Sequence, residues 1–517
     1  MRHMAARAPQ QKAHWRIELP DEAATDSLAV DLSQWLRRGD LLTLSGELGT
    51  GKTTFARALI RDLERAPNLE VPSPTFTLMQ VYEGGAFPVL HADFYRIRHA
   101  DELIELGFDE AQNGVLTIVE WPERGEAYLA STRLNIAFEI DARRGADYRV
   151  ATLTGTGAFA SRLNLARAIH DSLASSGWAG AERRFMQGDA SIRAYERLVK
   201  PDGTTTLLMI FPPRPDGPPV RYGKSYRALA RLAEDVKPYV AIDEGLRAQG
   251  LSAPKIFAAD LDVGVAIVED FGEEGIADGQ TIVVERYAEA VAVLAKLHQA
   301  NLPDALPIEA ASYRIPPYDI DALSIEIELL LDWYAPHVAK ATLPSGAKAN
   351  FTNLWRQVLR DIAAARATWT LRDYHSPNLL WLPKRDGLAR VGIIDFQDCV
   401  LGHPAYDVVS LLQDARVDVP DGVELRLLGH YAQLRRAADP GFDVAGFARA
   451  YAVLGAQRAT KILGIFARLD KRDHKPQYLA HLPRVEKYLA KDLAHPLLSA
   501  LKDWYETHLP RALNKGP

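Results

Sequence analysis

At 517 residues the chain exceeds what a single hydrophobic core supports and has room for two or three domains of ordinary size. Hydrophobic residues at 47% and charged residues at 25% are the mix of a globular protein, and a net charge of −6 excludes a chain that is polycationic as a whole, though not a local basic patch. The single cysteine, Cys399, excludes an internal disulfide and fits a reducing compartment; its apolar setting four residues past Asp395 marks a buried structural thiol.

Residues 1–14 read as a flexible leader: Met1-Arg2-His3-Met4-Ala5-Ala6-Arg7 has no apolar stretch behind it, so a signal peptide is not expected. Nowhere does the chain reach the run of about 18 apolar residues that a membrane span requires. A cytoplasmic protein with no membrane contact is the expectation.

From 15 to 154 the pattern alternates helices with short apolar strands, which predicts a compact α/β domain. A helix is expected over Asp26–Leu36, then a strand at Leu41–Leu44 and a helix opening at Thr54. Between these two lies Gly46-Glu47-Leu48-Gly49-Thr50-Gly51-Lys52-Thr53, a phosphate-binding loop in the strand–loop–helix setting that gives the motif its mechanism. Backbone N–H groups and the helix N-terminus cradle phosphates there, Lys52 reaches the β- and γ-phosphates, and Thr53 offers its hydroxyl to Mg²⁺. Such a site needs a carboxylate at the end of a neighbouring strand. Asp93 ends the strand Pro88–Ala92 and Glu120 ends Val115–Val119, so both are candidates. Ser73-Pro74-Thr75-Phe76 is either a switch turn whose hydroxyls sense the γ-phosphate or an ordinary proline turn. Arg133–Ile140 and Tyr148–Leu153 flank a polar turn and predict a closing hairpin.

These segments, with His91-Ala92-Asp93-Phe94-Tyr95-Arg96 and Glu120-Trp121-Pro122-Glu123, resemble the ATPase subunit of the bacterial complex that makes threonylcarbamoyladenosine in tRNA. The resemblance implies a P-loop NTPase fold with Lys52, Thr53, Asp93 and Glu120 around Mg-ATP, Lys52 and Glu120 being catalytic and Thr54 and Thr75 also near the nucleotide. It implies partners on other chains: the threonylcarbamoyl transferase subunit and that subunit's own partner, with tRNA reached through them. Trp121 is either a nucleotide or subunit contact or a buried core tryptophan. A rival reading makes this half a regulatory nucleotide-binding module.

Thr154-Gly155-Thr156-Gly157 suggests a linker, set at 155–158, after which Ser161–Ala174 is helical in period and would open a second domain. Tyr195–Val199 and Thr205–Ile210 flank Lys200-Pro201-Asp202-Gly203 as a β-hairpin; Val265–Asp270 is a further strand; Phe211–Pro219, with five prolines, is a loop. Beyond Thr281 the pattern is mainly helical. A β-rich lobe over 159–272 before a helical lobe over 273–517 predicts a bilobal, protein-kinase-like α+β domain. Within the second lobe Asp373 and Asn378 stand five apart, and Asp395 follows the apolar Val391–Ile394 seventeen residues after Asn378. In a kinase such a set supplies the base for the acceptor hydroxyl, Asp373, and two metal ligands, Asn378 and Asp395.

Leu371-Arg372-Asp373-Tyr374-His375, Asn378-Leu379-Leu380-Trp381 and Gly402-His403-Pro404-Ala405-Tyr406-Asp407 resemble the aminoglycoside-phosphotransferase-like kinases over about 159–510. That resemblance makes Gly188-Asp189-Ala190-Ser191, with Arg193, Tyr195, Glu196 and Arg197, the phosphate-covering hairpin, in which Ser191 contacts nucleotide. Glu269-Asp270-Phe271-Gly272 becomes the adenine hinge, and Asp407 a brace for the catalytic loop. His298 reads as an interior histidine, with His375 and His403 standing behind the site. Two departures stand out: Asp395-Phe396-Gln397 replaces Asp-Phe-Gly, and Leu207–Phe211 lacks the lysine that contacts the α- and β-phosphates. Lys200 and Lys224 lie in a turn and a later loop. The block from Asp395 to Arg416, together with the missing lysine, looks most like the cell-wall amino-sugar kinases. That resemblance implies an amino sugar as substrate, phosphorylated on the anomeric hydroxyl of N-acetylmuramate or N-acetylglucosamine with ATP and Mg²⁺ in peptidoglycan recycling. The alternatives are a kinase for another small alcohol, of aminoglycoside or choline type, and an inactive pseudokinase scaffold.

Overall fold

The computed structural model describes residues 12–186, 193–365 and 367–513. Compact packing divides the chain into two units, 1–171 and 172–517. Ser191 and the Gly188–Ser191 segment lie outside the described residues.

In the first unit the described residues form a seven-stranded sheet. In chain order its elements are β1 (Lys12–Leu19), α1 (Glu22–Ser33), β2 (Leu41–Ser45), α2 (Lys52–Leu63), β3 (Met79–Tyr82) and β4 (Val89–Asp93). Two single-turn helices, α3 (Glu102–Glu105) and α4 (Phe108–Ala111), precede β5 (Leu116–Glu120), β6 (Leu134–Ile140), β7 (Arg149–Thr156) and α5 (Ala158–Ser175). The strand order is β1-β7-β6-β2-β5-β4-β3. Strand β2 runs parallel to β5 and β6, and β4 runs parallel to β5. Parallel strands covered on both faces read as unbroken apolar runs, and β4 and β5 are buried along their whole length. One face packs Leu42, Leu44 and Ile118 against Leu28 and Leu32 of α1 and Phe55 and Leu59 of α2. The other packs Leu90, Ala92 and Val119 against Leu103 and Phe108. The expected hairpin is β6–β7, paired antiparallel from Leu134↔Gly155 to Ile140↔Arg149.

Both expected boundaries of this domain move outward. The leader expected over 1–14 does not extend to its last three residues: Lys12, Ala13 and His14 lie in β1, which pairs with β7 from Lys12↔Thr156 to Leu19↔Arg149. The expected linker 155–158 is not a linker: Gly155 and Thr156 belong to β7, and α5 starts at Ala158. Gly155 serves close packing rather than flexibility, since a Cβ there would stand 2.7 Å from the Phe159 carbonyl oxygen. Nor does the helix expected to open a second domain do so. Phe159, Ala160 and Leu163 of α5 join the first core, Arg162 pairs with Asp40 at 2.7 Å, and His170 meets the Trp15 ring edge-on at 5.1 Å.

The second unit begins with a five-stranded antiparallel sheet, order β13-β14-β10-β9-β8, made of β8 (Glu182–Met186), β9 (Ala194–Val199), β10 (Thr205–Ile210), β13 (Ile256–Asp260) and β14 (Val265–Glu269). The expected hairpin is β9–β10, in register from Ala194↔Ile210 to Val199↔Thr205. Between β10 and β13 come β11 (Pro219–Arg221), β12 (Lys224–Ser225), α6 (Tyr226–Leu229) and α7 (Lys237–Ala248). The helical lobe includes α8 (Val284–Gln299), α9 (Ile320–Leu329), α10 (Ala335–His337), α11 (Ser345–Ala363), α12 (Ala405–Leu412), α13 (Asp421–Ala438), α14 (Val444–Lys471), α15 (Leu482–Asp492) and α16 (Ser499–His508), with two short ribbons, β15 (Ala277–Asp278) with β16 (Thr281–Ile282) and β17 (Ala305–Ile308) with β18 (Ala311–Arg314). Helix α14 is buried on all sides from Val453 to Gly464, as a helix at the centre of a lobe must be. Among the described residues no helix is long and apolar enough to cross a membrane.

Because α5 completes the first core, Leu163→Ala should cost that unit about 2–5 kcal/mol. Hydrogen exchange of the β1 amides, which lie at the α5-covered edge, should accelerate accordingly; unchanged protection would show that α5 is dispensable to the fold.

Candidate active sites

The first site grows out of the turn from β2 to α2. Gly46 and Gly51 both need positive φ, +130° and +102°, and a Cβ on Gly46 would collide with the Phe138 carbonyl oxygen at 2.3 Å. Glycine is therefore the residue that lets this loop close over the sheet. Lys52 opens α2 and folds back over the loop, where Nζ donates to the carbonyls of Gly46 and Glu47, each at 2.8 Å. Burial makes its proton easier to lose than that of an ordinary lysine, against the pull of Glu120. The same ammonium lies 4.0 Å from the centre of the Trp121 ring. Trp121 is thus neither in the core nor apart from the site: it is half-buried, at a left-handed φ of 57°, beneath the lysine.

Asp93 and Glu120 are paired neighbours at the ends of two parallel strands, so both carboxylates emerge on the same side of the sheet. Thr53 Oγ1 donates to Glu120 Oε2 at 2.9 Å, and His91 Nε2 lies 3.0 Å from Glu120 Oε1. Ser73 and Thr75 donate to Asp93 Oδ2 at 2.8 and 2.7 Å, while the Tyr95 amide donates to Oδ1. The proline turn is thereby tied to the strand-end acid. A cleft of about 730 Å³ opens here, lined by Leu48, Gly49, Gly51, Lys52, Thr53, Thr54, Thr75, Asp93, Glu120 and Trp121. Thr50 is buried, its hydroxyl closing the loop onto the Glu47 carbonyl. His91 was not singled out by sequence; its place two residues before Asp93, on the same face of β4, was the available signal.

Two small ribbons build the second site. Strand β19 (Thr368–Thr370) pairs with β22 (Val400–Gly402), and β20 (Leu379–Trp381) pairs with β21 (Val391–Ile393). Asp373 leaves β19, Asn378 enters β20, and Asp395 follows β21, so the ribbon register brings the three together. Asn378 Nδ2 donates to the Asp373 carbonyl at 2.9 Å and to Asp395 Oδ2 at 3.4 Å. Asp395 sits at a φ of +62°, a strained setting for a residue with a side chain. Its other oxygen is held by the Arg193 guanidinium and by Gln397 Nε2 at 3.2 Å.

The loop carrying Asp373 is suspended from α12. Asp407 accepts from the amides of Leu371 and Arg372 at 2.7 and 2.8 Å, and Asp414 accepts from the amide and hydroxyl of Ser376. Burial raises the Asp373 pKa, but Lys461, His375, Arg458 and Arg372 together outweigh it and bring the carboxyl down to about 2. Arg458 Nη1 lies 3.9 Å from Asp373 Oδ1. His375 and His403 are both pushed down to about 4, chiefly by burial. His298 is an interior histidine, 2.9 Å from the Tyr431 hydroxyl and 3.9 Å from Asp407. Cys399 is buried, its thiol pKa raised by burial. In the segment expected to form the hinge, the Glu269 amide donates to the Lys255 carbonyl at 2.9 Å. Sequence reasoning missed Arg458 and Lys461; two cations in the mainly uncharged stretch Val453–Gly464 of α14 were the signal.

The family model described as threonylcarbamoyl adenosine biosynthesis protein TsaE matches residues 19–147, and that of the phosphotransferase enzyme family matches 182–445. An N-acetylmuramate/N-acetylglucosamine kinase of Caulobacter vibrioides is 38% identical over 350 residues, covering 65% of this chain and 95% of that protein. The protein of the same name from Pseudomonas putida is 32% identical over 262 residues, covering 50% of this chain and 73% of the relative. A tRNA threonylcarbamoyladenosine biosynthesis protein TsaE of Rickettsia felis is 38% identical over 122 residues, covering 24% of this chain and 71% of the relative. The chain therefore belongs to two families at once, TsaE through its first unit and the phosphotransferase enzymes through its second.

Proposed function

We propose that the chain is a bifunctional enzyme. Its first unit is the Mg-dependent ATPase of tRNA threonylcarbamoyladenosine modification, working with the threonylcarbamoyl transferase subunit and that subunit's partner, through which it meets tRNA. Its second unit transfers the γ-phosphoryl group of ATP to the anomeric hydroxyl of N-acetylmuramate or N-acetylglucosamine, in the cytoplasm. The observation that carries the kinase reading is the convergence of Asp373, Asn378 and Asp395 in a chain that spans 95% of a relative named for this reaction.

In the kinase unit Asp373 receives the sugar hydroxyl. Because its carboxyl titrates at about 2 it is ionised throughout the neutral range, and it orients the hydroxyl rather than deprotonating it in advance. The proton passes to Asp373 Oδ late, as the sugar oxygen bonds to the γ-phosphorus, the bond to the β–γ bridging oxygen breaks and ADP leaves. Asn378 and Asp395 present oxygen donors, which suit Mg²⁺ held by one or two side chains and completed by phosphates. The ion pair between Arg193 and Asp395 supports the reading that this carboxylate draws cations. When bound, the ion would screen the charge on the transferring phosphoryl group. In the ATPase unit Thr53, Asp93 and Glu120 form the corresponding oxygen set, and Lys52 exchanges the loop carbonyls for phosphate oxygens.

Incubation with Mg-ATP and either sugar should give an anomeric sugar 1-phosphate by phosphorus NMR; phosphate on another hydroxyl would reject the assignment. Asp373→Asn should keep ATP binding and lose turnover by roughly 10²–10⁴-fold. Near-normal turnover in that variant would remove Asp373 from the role of base. The chain should also restore the tRNA modification in cells lacking their own TsaE, and Lys52→Ala should end that rescue while sugar phosphorylation continues. Failure of the unmodified chain to rescue would favour a regulatory module.

The histidines behind the base set an acid limit. In the folded state His375 and His403 titrate near 4, against about 6.5 in an unfolded chain. Between these values the unfolded chain binds more protons, so stability is complete above about pH 6.5 and declines as pH falls toward 4. His403→Asn, which keeps an acceptor for the Ala405 amide, should shrink the difference in urea midpoint between pH 7 and pH 5. An unaltered difference would acquit this histidine.

A further inference from the structure

The strand that carries a phosphate-contacting lysine in related kinases has none here: β10 reads Thr205-Thr206-Leu207-Leu208-Met209-Ile210. A phosphoryl-transfer site without a fixed cation beside the α- and β-phosphates would leave several negative charges to the metal alone. The nearby lysines do not fill the gap. Lys200 lies over the Trp178 ring at 4.3 Å, and Lys224 is exposed on β12. The neighbouring arginines are committed elsewhere, Arg183 to Glu196 and Arg197 to Asp270 and Glu273.

We propose that Arg193 is the cationic phosphate ligand of the kinase site, supplied from the residue just before β9 in place of the missing β10 lysine. This inference rests on the ATP-dependent kinase reading of the second unit. Arg193 immediately precedes Ala194, which pairs with Ile210 at the end of β10. The guanidinium therefore enters the site from the strand adjacent to the expected one. Its side chain is only 8% exposed; one nitrogen rests on Asp395 Oδ1 and another donates to Gln397 Oε1 at 2.5 Å. Gln397 stands where the usual motif has glycine, and its amide bridges the arginine and the carboxylate, donating to Asp395 at 3.2 Å. The altered motif and the absent lysine are thus two sides of one substitution: a side chain at 397 steadies a cation that arrives from a different strand. Asn378 approaches the opposite oxygen, Asp395 Oδ2. Asp395 would thus serve the arginine and, together with Asn378, the metal. Burial opposes the charge on Arg193, and Tyr195 and Asp395 more than restore it, so the group is a permanent cation. A planar fork with five donors can keep one bond to Asp395 and turn others to phosphate oxygens.

The test uses the full chain carrying Lys52→Ala, which weakens nucleotide binding at the first site, and compares Arg193 with Arg193→Gln and Arg193→Lys. ADP and adenosine are titrated calorimetrically without Mg²⁺. Loss of a charge-assisted contact should weaken ADP by roughly tenfold or more, leave adenosine unchanged, and be partly reversed by lysine. Equal ADP affinity in Arg193→Gln would overturn the proposal. So would a parallel loss of ADP and adenosine affinity, which marks a structural role. If the chain with Arg193 intact binds neither compound at this unit, the kinase reading itself fails and takes the proposal with it.

Discussion

The second site depends on backbone amides that have nowhere else to go. The catalytic loop leaves β19 with Arg372 at a φ of +67°, so the N–H groups of Leu371 and Arg372 turn away from any strand partner. An unpaired buried amide costs about 1–3 kcal/mol, and here the Asp407 carboxylate takes both while Asp414 takes the Ser376 amide. The two carboxylates and the three amides are buried, which ties the loop to α12 and to the segment that follows it. Arg372 adds a second tether. Its guanidinium donates to the Ala230 carbonyl and pairs with the buried Glu326, which also receives Lys461 at 2.9 Å and the Tyr318 hydroxyl at 2.5 Å. Glu326 therefore stays ionised in spite of burial, its pKa lowered below the usual carboxylate range. Removing one partner from such a network strands a charge in low dielectric, which makes it a means of fixing geometry more than a source of net stability.

Electrostatically, the two units solve the same problem in different currencies of structure. The phosphate loop offers main-chain N–H groups on a glycine-rich turn and one lysine. The kinase site offers side chains from several elements, held by the buried network. Neither presents a cage of three or more His, Cys, Asp or Glu side chains among the described residues.

What the sequence disclosed followed from local physics. The phosphate loop was readable because glycine, lysine and threonine at fixed spacing, between an apolar strand and a helix, have few other uses. The convergence of Asp373, Asn378 and Asp395 was readable because each falls beside one of two short ribbons. Misreadings arose where composition resembled one thing and packing required another. Thr154-Gly155-Thr156-Gly157 has the look of a flexible joint, yet Gly155 is small so that the start of α5 can lie against β7. Strand β1 alternates buried and exposed residues over Ala13–Leu19, but its partner β7 lies far along the chain and nothing local announces the pairing. Arg458 and Lys461 act on Asp373 only after α14 has been threaded through the lobe, and that is a tertiary fact.

The posture of Lys52 has a kinetic meaning. Its ammonium is bonded to the carbonyls of Gly46 and Glu47 and lies over the Trp121 ring, so the loop itself supplies partners for the cation. Phosphate entry is then an exchange of partners: the incoming oxygens must compete with two amide carbonyls and an aromatic face that are already in place. Such an exchange tempers affinity, because part of what the phosphate gains the loop gives up. It also eases departure, since the lysine has a ready resting place when product leaves. A loop built this way suits an enzyme that must let go of its nucleotide after each cycle.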